Sequence, residues 1–149
     1  MAKFKNSILS EIGNRMGGYD WGVQSTHSHG VVYEFETGKS EYEVFVERVM
    51  EEFLGVDFTT DSRKMTNKTG EGQALKVAAT VTDISRHAWE NRQQFFENSE
   101  ALKGFSLAPT SAGRTKLFRR FIEKQFPSAK IEMISNTDML VILSKQQHY

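Results

Sequence analysis

Two histidines separated by a single residue, His27 and His29, are the most conspicuous candidates for metal or proton chemistry in this 149-residue chain. They stand in His27-Ser28-His29-Gly30, a turn-forming stretch from which both imidazoles could reach one metal ion. Zinc normally takes three or four protein ligands, so Asp20, His87 or a Glu would have to complete the set. With Arg114 as a charge stabiliser, the same pair could act as acid and base in phosphodiester cleavage. A two-histidine phosphoesterase needs paired motifs, and the sequence offers only one His-x-Ser-like element. Two solvated turn histidines account for the same residues.

A second stretch, Thr37-Gly38-Lys39-Ser40, has the ending of a phosphate-binding P-loop. The glycine required five positions before Gly38 is missing, and Tyr33 stands there instead. A capping turn explains these four residues better than a nucleotide site does.

Positive charge is the broader signal. Between Pro109 and Pro127 the chain reads as one amphipathic helix, capped by Thr110 or Ser111 and stopped by Pro127. Leu117, Phe118, Phe121 and Ile122 share one face at 100° per residue, while Lys116, Arg119, Arg120 and Glu123 share the other, with Lys124 at its edge. Arg114 falls on the apolar face in the first turn. There, beside Thr110, Ser111 and free backbone N–H groups, a guanidinium could meet a phosphate or carboxylate. The plainer reading lets its stem cover the core while its head reaches water. Arg92 is expected on the apolar face of another helix, and the two arginines together hint at a shared anion site.

Composition sets limits on what these residues can serve. The chain has no cysteine, so disulfides, thiolate metal sites and a cysteine nucleophile are excluded. No run has the apolar length of a membrane span, and Met1-Ala2-Lys3-Phe4-Lys5 opens no signal peptide. A cytoplasmic protein without a membrane role is expected. Net charge is zero, yet residues 1–60 carry five Lys/Arg against ten Asp/Glu, and the remainder carries fourteen against nine. Such asymmetry can join the two halves, associate copies head to tail, or offer a basic face to an anionic partner. RRM, zinc-finger and basic-zipper signatures are absent. The Phe rings interleaved with Arg119 and Arg120 are buried by helical phase, so they form no stacking platform.

The elements that would position these groups follow from periodicity. Phe4, Ile8, Leu9, Ile12 and Met16 predict a first helix over residues 4–16. Residues 19–26 and 31–36 predict two strands joined at the histidine turn. Ser40 with Glu43 resembles a capping box, and Tyr42, Phe45, Val46, Val49, Met50 and Phe53 predict an acidic helix to Gly55. Residues 59–72 read as a long flexible loop. Leu75, Val77, Ala79 and Val81 alternate as in a strand over 73–82. A helix follows from Asp83 or Ser85 to Leu102, with Ala88, Phe95 and Phe96 in its stripe and Trp89 at its edge. Phe105 to Ala108 is a short extended piece, and residues 130–135 and 139–144 flank the Asn136-Thr137-Asp138 turn as a C-terminal hairpin.

The expected whole is a single α+β domain over 1–149, a mainly antiparallel sheet of about five strands with about four helices. The function expected is non-enzymatic binding of an acidic or phosphate-bearing partner, such as nucleic acid, nucleotide or an acidic protein surface. Its candidate ligand-binding residues are Thr110, Ser111, Arg114, Lys116, Arg119, Arg120, Lys124 and Arg92, with no cofactor. The alternatives are a homo-oligomer joining acidic to basic surfaces, and a phosphodiesterase or nuclease using His27 and His29.

Overall fold

The structure, a computed structural model, describes residues 17–60, 71–109 and 112–143. Seven strands form one sheet: β1 (Trp21–His27), β2 (Gly30–Glu36), β3 (Glu41–Met50), β4 (Phe53–Thr60), β5 (Gly104–Leu107), β6 (Lys130–Met133) and β7 (Met139–Ile142). Their order across the sheet is β1-β2-β3-β4-β5-β7-β6. Neighbours run antiparallel except β4 and β5, which are parallel, with Phe53 opposite Gly104 and Val56 opposite Leu107. A parallel pair needs a crossover, and α1 (Glu71–Glu90) with the short α2 (Arg92–Phe95) lies within it. The other long helix, α3 (Ala112–Gln125), lies between β5 and β6 in the chain.

Both long helices cover the same face of the sheet. On β1 to β4 that face presents Trp21, Val23, Val31, Tyr33, Phe35, Val44, Val46, Leu54 and Val56, all buried. His87 of α1 stands edge-on to Tyr33, at 5.6 Å between ring centroids. From α3, Phe118 lies 5.9 Å from Phe58, and just beyond its end Phe126 lies 5.5 Å from Phe105. Gly104 lets β5 approach β7 closely: a Cβ there would stand 1.9 Å from the Val141 carbonyl oxygen.

Several sequence expectations hold: the β1–β2 hairpin, the extended piece now seen as β5, the helix α3 and the C-terminal hairpin β6–β7. The count of about five strands and four helices does not: residues 41–50, 53–60 and 104–107 add three strands, and residues 73–82 leave the sheet for a helix. Residues 41–50, expected as a helix, are β3. Tyr42, Val44 and Val46 alternate with Glu41, Glu43 and Glu47, and a run rich in aromatic and β-branched residues fits a pleated strand. Val44 and Val46 are fully buried on the helix side while Glu41 and Glu47 are exposed on the other. The apparent capping box is a hairpin turn, in which Thr37 Oγ1 accepts from the backbone N–H groups of Lys39 and Ser40 at 3.0 and 3.1 Å.

Residues 73–82, expected as a strand, belong to α1, which runs on through the expected start at Asp83 or Ser85. The alternation of Leu75, Val77, Ala79 and Val81 hid a helical repeat, in which Val77, Val81, Ile84 and Ala88 are buried and Leu75 is exposed. Thr80, Thr82 and Ser85 satisfy their hydroxyls inside the helix by donating to the carbonyls of Lys76, Ala78 and Val81. That helix ends at Glu90 instead of continuing to Leu102. Phe45, expected in the core, is half-buried on the opposite face of the sheet. Of the expected 59–72 loop, Thr59 and Thr60 belong to β4 and residues 71 and 72 to α1. Residues 61–70, and the helix expected over 4–16, lie outside the described residues.

Candidate functional site

The candidate surface is the outward side of α3. Burial of Phe118 and Ile122 against the sheet sets the helix's rotation. That rotation turns Lys116, Arg120 and Lys124 to solvent, and all three are exposed. At four-residue spacing they follow one another about 6 Å apart along the helix axis, a stripe of three cations on one side. None of the three takes part in an ion pair or hydrogen bond among the described residues.

The other expected members fare differently. Arg119 is held by Glu123 one turn on, Nε to Oε2 at 3.2 Å, so its charge is countered locally. Arg114 sits half-buried in the first turn and already makes contacts within the fold. Thr110 and Ser111 lie outside the described residues. Arg92 belongs to α2, where its guanidinium lies 4.0 Å from the Trp89 ring centroid and donates to the Trp89 carbonyl at 2.7 Å.

Polar residues of α1, in contrast, are used inside the protein. Asp83 is 4% exposed and accepts from the indole Nε1 of Trp21 at 3.0 Å and from Gln125 Nε2 at 3.4 Å. Gln125 in turn accepts from Arg86, which also pairs with Glu90 at 2.8 Å. One turn beyond Asp83, His87 shares a 2.8 Å hydrogen bond between its Nδ1 and the Tyr33 hydroxyl. These bonds pin β1, β2 and α3 to one helix, and they satisfy groups that would be costly to bury alone.

Near the start of β1, Tyr19, Phe35 and Tyr42 stack as near-parallel rings, and Lys76 lies 4.9 Å from the Tyr19 ring centroid. Burial first, and the neighbouring Tyr42 second, push the Tyr19 phenol above its ordinary pKa.

His27 and His29 are both exposed at the β1–β2 turn, and His27 Nε2 lies 3.4 Å from Ser25 Oγ. Among the described residues, no three His, Asp or Glu side chains stand together as a metal site would require. Thr37-Gly38-Lys39-Ser40 joins two strands, without the helix whose N-terminus a P-loop needs.

Two features escaped sequence reasoning. Arg48 donates to the backbone carbonyls of Glu51, Glu97 and Asn98, clamping the β3–β4 turn to the segment after α2. An acidic strip also lies on the sheet face away from the helices: Glu43, Phe45 and Glu47 follow one another along β3, and Asp57 of β4 stands opposite Phe45. Glu34 stands opposite Glu43, and Gln24 Nε2 donates to both carboxylates at 3.3 and 3.1 Å. Reading residues 41–47 with a period of two, not 3.6, would have revealed this strip.

Among the described residues no helix is long and apolar enough to cross a membrane. Comparison with protein-family models, with curated proteins and with solved structures finds no match to this chain.

Proposed function

We propose that the protein is a non-enzymatic binding protein that takes an acidic or phosphate-bearing partner on the α3 stripe of Lys116, Arg120 and Lys124. One observation carries this reading: three exposed cations share a side of one helix and enter no ion pair among the described residues. The helix beneath them is anchored by Phe118 and Ile122, so the charges are presented on a rigid element. A partner with closely spaced anions gains from all three at once, and each phosphate neutralised releases counterions. No chemistry is required of the protein, and a cytoplasmic setting suits a chain without cysteine.

The test is a titration of a labelled duplex oligonucleotide, with polyaspartate as an acidic protein surrogate, over a range of salt. Three phosphate contacts give a logarithmic salt slope of about −2.7 for duplex DNA. The triple variant K116Q/R120Q/K124Q should lose that slope together with most of the affinity, while R119Q should change both only slightly. Binding unaffected by the triple variant, or absent from the natural chain with both probes, would overturn the reading.

A further inference from the structure

The acidic strip of β3–β4 and the basic stripe of α3 lie on opposite sides of the same molecule. Tyr42, Val44 and Val46 point toward the helices, so Glu43, Phe45 and Glu47 point away from them. The α3 stripe points away from the sheet in the other direction. Within one chain the two surfaces cannot meet.

Between two chains they match. Lys116 to Lys124 spans about 12 Å of helix at 1.5 Å per residue. Glu43 to Glu47 spans about 14 Å of strand at 3.4 Å per residue. Asp57 stands level with the middle of the strip, opposite Phe45, as Arg120 stands at the middle of the stripe. Glu47 and Asp57 are exposed and, like the three cations, enter no ion pair among the described residues. Half-buried Phe45 offers apolar area at the centre, and Leu117 and Phe121 flank the stripe at similar exposure.

The geometry points to a second copy of this chain as the acidic partner of α3, with the helix of one copy laid along β3 of the next. This rests on the α3 stripe being the binding surface and names what it binds. Because the two surfaces face opposite ways, one contact cannot close on itself with two-fold symmetry. The association is heterologous, and each added copy leaves one free surface of each kind. A single helix on a strand pair buries little area by the standard of stable complexes, so the contact is weak and dissociates on dilution. Salt screens it as well, since the Debye length is about 8 Å at physiological ionic strength.

Sedimentation at low salt, with each variant checked for native circular dichroism, tests the arrangement. The natural chain should rise in average mass with concentration and return to its 17.0 kDa monomer in high salt. E43Q/E47Q/D57N keeps the stripe and loses the strip; K116Q/R120Q/K124Q keeps the strip and loses the stripe. Each alone should stay monomeric, and an equimolar mixture should form a particle of twice the monomer mass and nothing larger. A natural chain monomeric at every concentration, or a mixture that stays monomeric, overturns the inference. Self-association that persists in either variant overturns it too. The strip variant should bind duplex DNA as the natural chain does, so loss of self-association with DNA binding intact separates this inference from the wider function.

Discussion

The helices α1 and α3 lie in one layer over one sheet, yet they place their polar side chains on opposite sides. In α1, Thr80, Thr82, Asp83, Ser85 and His87 are all buried. In α3, Thr115 is the one buried polar residue among those described, and Lys116, Arg120 and Lys124 are exposed. The polar groups of α1 are consumed by partners: Trp21, Gln125, Tyr33 and the helix's own carbonyls. Those of the α3 stripe have none among the described residues. Polarity within a helix therefore serves architecture in one case and stays at the solvent surface in the other. Burial, not residue type, tells them apart.

The sharpest way to break this contrast is through the apolar side of α3. Phe118→Ala should destabilise by about 3–5 kcal/mol in denaturant titration, the cost of emptying a buried aromatic site. Phe121→Ala, at a half-buried position, should cost clearly less. Equal losses would mean that α3 is rotated from the orientation that exposes its cations.

Next comes the buried polar side of α1. Asp83→Ala strands the Trp21 indole N–H and should cost about 1–3 kcal/mol, whereas Asp83→Asn keeps an acceptor and should cost less. Tyr33→Phe, which leaves His87 Nδ1 without that hydroxyl, should fall in the same range. A negligible loss for both would place these groups outside the framework of the fold.

The charged side of α3 should do the reverse. Each of Lys116→Gln, Arg120→Gln and Lys124→Gln should move stability by no more than about 0.5 kcal/mol, as for solvent-exposed surface sites. Their effect belongs in the polyanion titration.

The smallest effect is at Tyr19. Its pKa is raised in the folded chain, so the neutral phenol favours folding below its ordinary pKa, and that contribution fades as pH climbs through the folded value. Tyr19→Phe should flatten the alkaline end of a stability–pH curve, while leaving neutral pH nearly unchanged. An unaltered alkaline slope would show that the ring stack leaves the phenol's ionisation untouched.

Legibility in the sequence followed the same division. The phase of α3 came directly from Leu117, Phe118, Phe121 and Ile122 against its cations, because a surface helix keeps one clean apolar side. Residues 41–50 misled because Tyr42, Val46, Val49 and Phe53 also satisfy a helical step when the glutamates between them are ignored. The first half of helix α1 misled in the opposite sense: four alternating apolar residues imitate a strand unless Ala78 and Ile84 are read with them. The site divides likewise. Lys116, Arg120 and Lys124 were visible from helical phase, whereas the pairing of Arg119 with Glu123 and the resting place of Arg92 on Trp89 depend on side-chain conformations. The acidic strip required knowing that β3 is a strand.

The single parallel pair in the sheet also bears on how the chain assembles. β1 to β4 form a meander of adjacent hairpins, whose contacts are local and form early at small entropic cost. β5 can join β4 only across the long connection that carries α1, and β7 and β6 then add to β5. The seam between β4 and β5 is thus expected to close late, after the folding barrier has been crossed. Leu54→Ala and Phe105→Ala, on either side of it, should speed unfolding more than they slow folding. Val32→Ala, within the meander, should mainly slow folding, so stopped-flow measurements divide the sheet into an early half and a late one.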